Sequence, residues 1–249
     1  MAIGTRSYAR GFVGSGGLPP GVKGLLIANV VIFLIDLLLG GRLTAYFGLV
    51  PSEVIPGFRV WELVTYMFLH SGIFHILFNM LGLYFLGKDL EEVWGTDRFL
   101  QFYFFCGVGA GLCVVALKYL FRTPDIPTIG ASGAVLGIFL AAAILWPDRQ
   151  IIFYFVPLKM KYFVMLIAAI SILSSFDQRS GVSNIAHLGG MLFGYIFMQL
   201  PGQKRGRGGV ASPSLMSRLR TAWKEYKLAR ARRKFKVYMK KQNRDETIQ

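Results

Sequence analysis

The sequence predicts an all-α membrane protein: a bundle of six transmembrane helices followed by a basic cytosolic C-terminal tail helix. Three observations carry that expectation. Apolar residues make up 54% of the 249 residues, charged residues only 16%, and the mean hydropathy is +0.49; an ordinary soluble domain carries roughly 25% charged residues. Six apolar runs are long enough, or nearly so, to cross a bilayer, which takes about 20 residues. The net charge of +15 is concentrated at one end: residues 201–249 hold fifteen Lys/Arg against Glu225, Asp245 and Glu246, whereas residues 1–200 hold thirteen against ten acidic residues. No alternating strand pattern persists, which argues against a soluble α/β domain.

Residues 1–23 read as a cytosolic N-terminal segment, rich in Gly and Pro, with Arg6, Arg10 and Lys23. No small-residue cleavage site follows the first apolar run, so that run is expected to be a retained helix and not a signal peptide. The membrane domain is expected over 24–200, with spans at about 24–40, 72–87, 98–121, 130–147, 151–175 and 184–200. The second and sixth runs are short and contain polar residues. Pro157, Lys159 and Lys161 break the fifth, whose spanning part should begin near 160. The longest connection, 41–71, holds Pro51, Pro56 and Trp61 among apolar residues, as expected for a segment lying in the membrane interface.

Lys/Arg placement sets the orientation. With the N-terminus inside, the cytosolic pieces carry Arg6, Arg10, Lys23, Lys88, Arg149, Lys159, Lys161 and the tail, and the outer loops carry only Arg42, Arg59, Arg122 and Arg179. The expected location is the cell (cytoplasmic) membrane with both termini cytosolic. In the tail (201–249), Leu215, Leu219, Ala222 and Tyr226 recur at helical spacing, with Trp223 alongside and basic residues around them. That is the pattern of an interfacial helix on anionic lipid headgroups; a solvated basic tail is the alternative. A basic tail can also serve nucleic acid, but one that directly follows a span points to the membrane, so no nucleic-acid partner is expected. Cys106 and Cys113, seven apart on one helix, cannot bridge and read as packing residues. With three histidines in all and no Cys-x-x-Cys, no metal or other cofactor is expected.

Polar groups kept within spanning helices are site candidates because lipid penalises them. Three clusters stand out: His70, His75 and Asn79 at the start of the second span, Gly130-Ala131-Ser132-Gly133 at the fourth, and Asn184 to Gly190, including His187, at the sixth. In the charge-derived orientation these spans all run from outside to inside, which brings all three clusters to one depth below the outer surface. Gly133/Gly137 and Gly190/Gly194 are Gly-x-x-x-Gly pairs, which let membrane helices approach closely. Close approach of spans four and six would bring Ser132 near His187.

Those residue types suit nucleophilic acyl transfer. A serine hydroxyl needs a base, which His187 can supply before acting as acid for the leaving amine. Asn79, His75 and the Ser132 backbone N–H, at a helix start, can face a developing oxyanion. No carboxylate lies in the clusters, so a dyad is expected and not a triad. Taken singly, each signal has a plainer reading. Ser132 could be a helix-packing residue, His187 a paired structural histidine, and His75 with Asn79 a helix cap.

At these residues the chain resembles the rhomboid family of intramembrane serine proteases. The matching strings are His75-Ile-Leu-Phe-Asn79, Gly130-Ala131-Ser132-Gly133, Ala186-His187-Leu-Gly-Gly190 and Leu90-Glu91-Glu92-Val-Trp94-Gly95, in the family's order and spacing, over about 24–200. The resemblance implies a six-helix fold and cleavage of single-pass membrane proteins near the outer face. Ser132 would be the nucleophile, His187 the base, and His75 with Asn79 the oxyanion site. His70 matches a further family histidine with a structural role. Two positions depart. Glu62 stands where the family often has Arg after Trp61, and Leu136 stands where some bacterial members stack an aromatic on the base. The orientation of His187 must then rest on other packing. The rivals are a catalytically inactive relative, which should lack the serine or the histidine, and a transporter, which should carry midplane charges where this chain offers only Asp36.

Overall fold

The computed structural model describes residues 17–121, 125, 127–153, 156–175 and 181–200. The chain divides into the units Met1–Gly209 and Val210–Gln249. The second unit, and with it the expected tail helix, lies outside the described residues, as does most of the N-terminal segment. The described part is mostly helical: α1 (Pro20–Leu38), α2 (Arg42–Phe47), α3 (Glu62–Thr65), α4 (Ile73–Gly82), α5 (Lys88–Trp94), α6 (Thr96–Phe121), α7 (Ser132–Leu145), α8 (Met160–Ser174) and α9 (Gly181–Gln199). Among the described residues, three helical segments are long and apolar enough to cross a membrane: α1, the rod Ile73–Trp94, and α6. Helices α7 and α8 are apolar but shorter.

Two features depart from the sequence reading. The connection expected between the apolar runs at 72–87 and 98–121 is mostly helix. A π-helical turn at Leu83–Gly87 joins α4 to α5, and the rod ends only at Gly95, whose φ of 79° suits glycine. Lys88, Glu91 and Glu92 there are good helix formers, and Lys88 pairs with Glu92 one turn on, at 3.9 Å. The second departure is a two-stranded antiparallel hairpin, β1 (Gln150–Phe153) with β2 (Val156–Lys159). Its β-branched and aromatic residues favour strand, but their run merges in sequence with the apolar helix that follows. Helix α8 then begins at Met160, where the fifth span was expected to start. At this corner Lys161 and Lys159 bond to Asp148 at 2.9 and 3.2 Å and hold its carboxyl below the usual range. Arg149 pairs with Asp89 of α5.

Helices α6, α7 and α9 pack against one another at the centre. Phe99, Phe102, Tyr103, Cys106 and Ala110 of α6 are fully buried there. Phe102 meets Phe197 edge-on with centroids 5.2 Å apart, and Phe105 leans on Phe193 at 5.4 Å. The outward faces of α1, α4 and α8 carry exposed Leu34, Leu38, Phe74, Phe78, Met165 and Leu173, as a lipid-facing surface requires.

Three buried carboxylates pin the periphery. Asp36 accepts from Leu43 N–H (2.8 Å), Thr44 N–H (3.3 Å) and Thr44 Oγ1 (2.6 Å), capping α2. Its role is therefore a cap, which accounts for the one charge the transporter reading could use. Glu91 accepts from Gly21 and Val22 N–H, at 2.8 and 2.7 Å, in the first turn of α1, and from Thr96 Oγ1 at 2.7 Å. Glu62 accepts from Val50 N–H at 2.8 Å and pairs with Arg59 at 2.5 Å. The residue that departs from the family pattern thus ties the first loop together. Around it Tyr46, Phe58, Val60 and Trp61 are exposed, apolar groups suited to a lipid interface.

Candidate active site

Ser132 is the first residue of α7 and His187 lies in the second turn of α9. His187 Nε2 and Ser132 Oγ are 2.9 Å apart, both half-buried. Glycine makes this approach possible. A Cβ at Gly190 would lie 2.0 Å from the carbonyl oxygen of Gly133, and one at Gly133 would lie 3.2 Å from the carbonyl of Ala186. The backbones of α7 and α9 therefore touch on both sides of His187, one residue before it and three after. Farther down, a Cβ at Gly194 would meet Gly137 Cα at 3.2 Å. Backbone contact thus does the packing near His187, while Leu136 is buried in the core.

The segment leading into Ser132 is fixed from the first loop. Thr128 and Leu49 exchange backbone hydrogen bonds of 3.0 and 2.8 Å, and Gly130 N–H donates to the Tyr66 carbonyl at 2.9 Å. The Tyr66 hydroxyl in turn donates to the Gly107 carbonyl of α6 at 2.7 Å. Tyr66 carries no polar signal of the kind that marked the histidines, and its partners lie far away in sequence. Nothing in the sequence singled it out.

His75 and Asn79 share a face of α4, and Asn79 Nδ2 donates to the His75 carbonyl at 2.8 Å. The His75 ring faces the serine segment. Gly130 adopts φ +120°, and a Cβ there would sit 2.7 Å from His75 Nε2. Gly130 is needed twice, for the backbone angle and for the clearance. His70 is buried and packs edge-on to His75, centroids 5.0 Å apart. A cavity of about 520 Å³ opens alongside, walled by Phe33 and Leu37 of α1 together with His70, Ser71, Ile73 and Ile129. The polar clusters of the three helices are thus gathered in one region: Ser132 and His187 in direct contact, and His75 against Gly130.

The Rhomboid domain family matches residues 57–203, more than half of the chain. RHOMBOID-like protein 1 of Arabidopsis thaliana is 34% identical over 67% of this chain and 43% of its own length. Rhomboid-like protein 19 of the same plant is 30% identical, covering 69% and 56%. Rhomboid protease AarA of Providencia stuartii is 31% identical, covering 54% and 53%. The chain spans about half the length of these relatives. The matched domain takes in His70, His75, Asn79, Ser132 and His187, and together with the apolar helices it identifies the chain as an integral membrane protein that belongs to the rhomboid family.

Proposed function

We propose that the chain is an intramembrane serine endopeptidase that cleaves single-pass membrane proteins near the outer face of the membrane through a Ser132–His187 dyad. The observation that carries this reading is the 2.9 Å contact between Ser132 Oγ and His187 Nε2, at the start of a helix and held by glycine-mediated backbone contact. His187 takes the hydroxyl proton as Ser132 attacks the scissile carbonyl, then returns it to the departing amine. The first N–H groups of α7, the His75 ring and the Asn79 amide receive the oxyanion. Asn79 uses one amide hydrogen on the His75 carbonyl and keeps the other. Water for deacylation enters from the outer side, through space of the kind the cavity beside His70 offers.

The same reading places six spans in the cell membrane, with segments 1–23 and 201–249 in the cytosol and the membrane domain over 24–200. The basic tail then lies on anionic headgroups. Its substrates are single-span proteins with helix-destabilising stretches near the outer surface. The protease names among the relatives support the reaction class. The test is incubation of purified protein with a panel of single-span substrates in liposomes, with the cut sites sequenced. Cuts near the outer end of the substrate's span, lost in Ser132→Ala, are the expected result; intact substrates across the panel would count against the proposal.

A further inference from the structure

We propose that Ser71 is a positioning residue that fixes the tautomer of His75, so that a ring N–H faces the backbone just ahead of Ser132. The proposal rests on the reading of His75 as an oxyanion donor and adds the device that makes it one. Ser71 N–H lies 3.3 Å from His75 Nδ1, and Ser71 Oγ lies 3.1 Å from the same atom. A backbone N–H can only donate, so Nδ1 is the acceptor. In a neutral imidazole the proton then sits on Nε2. Nε2 is the nitrogen turned to Gly130, two residues before Ser132, where the absence of a Cβ lets it approach.

The ring is held on a further side by His70, at 5.0 Å and an interplanar angle of 67°. A flip of the imidazole would exchange Nδ1 for a carbon and lose both Ser71 contacts. The other tautomer would turn a lone pair toward the place where negative charge develops. Ser71 thus acts through His75. It selects which face of a two-sided group meets the tetrahedral intermediate, without touching substrate itself. Its hydroxyl adds to what its amide already imposes, and a threonine could do the same.

The experiment is ¹⁵N-histidine NMR of the full chain in nanodiscs, paired with kinetics. Three histidines give three ring spin systems, and His75→Gln assigns the one of interest. Wild-type His75 is expected to carry its proton on Nε2, with Nδ1 shifted as an acceptor. In Ser71→Ala the Nδ1 shift should weaken and kcat should fall about 3–10-fold, the loss expected of one hydrogen bond, with KM unchanged. Ser71→Thr should restore both. A wild-type proton on Nδ1 would overturn the proposal, and so would a Ser71→Ala protein with wild-type kcat. Failure of the underlying protease reading shows separately, as Ser132→Ala cleaving at the wild-type rate.

Discussion

Replacing Gly190 by alanine adds one methyl group at the point where α7 and α9 touch. The new Cβ would lie 2.0 Å from the Gly133 carbonyl oxygen, 2.5 Å from its carbon and 2.9 Å from its Cα. All three are backbone atoms, so no side chain can swing aside. Ordinary contact lies near about 3.5 Å, so the helices must part locally by about 1.5 Å. Parting along the line between Ser132 and His187 would stretch their 2.9 Å contact to beyond about 4 Å, outside hydrogen-bonding range. A misplacement of that size costs on the order of 10²-fold in rate, and overpacking a tight core costs roughly 1–3 kcal/mol. Two other glycine substitutions, one lower on the same contact and one on α1, grade the effect. At Gly194 the added Cβ meets Gly137 Cα at 3.2 Å, and at Gly24 it meets nothing within 4 Å. Cleavage rates and thermal unfolding in detergent should rank Gly190→Ala well below Gly194→Ala, with Gly24→Ala at or slightly above wild type. Wild-type rate and stability in Gly190→Ala would refute the reasoning.

Glu91→Ala removes the acceptor for two buried backbone N–H groups and the Thr96 hydroxyl, and should destabilise the protein by about 3 kcal/mol; a melting temperature within a degree of wild type would contradict this. Asn79→Ala should stay folded and lose about 10²–10³ in kcat, read from purified protein whose melting curve is unchanged. Reporter fusions after Arg59 and Gln178 should report outside, and fusions after Trp94 and Gln203 inside. A tail found outside would put the proposed cleavage face on the wrong side.

What the sequence made legible was what repeats or costs energy locally. Apolar runs located α1, α6 and α7 to within a few residues, and polar residues kept within the runs of α4, α7 and α9 marked His75 and Asn79, Ser132, and His187 as candidates. Gly190 and Gly194 announced a close approach because glycine at that spacing has few other uses in a membrane helix. The partners of Glu91, Asp36 and Tyr66 were not legible, since each acts on a segment distant in the chain and its residue type alone does not say where. The hairpin at 150–159 was hidden because strand-forming and lipid-facing residues have the same composition. Glu62 could be seen as a departure, but only its contacts with Val50 and Arg59 explain what it does.

The central claim is that Ser132 and His187 act as one unit, and a double-variant comparison of kcat/KM tests it most directly. Residues acting together give non-additive losses. Ser132→Ala and His187→Ala should each abolish cleavage by the purified protein, and the double variant should be no worse than either. A fluorophosphonate should label Ser132 in the wild type and label it far less in His187→Ala. Full proteolytic activity in Ser132→Ala, or losses that multiply in the double variant, would contradict the account.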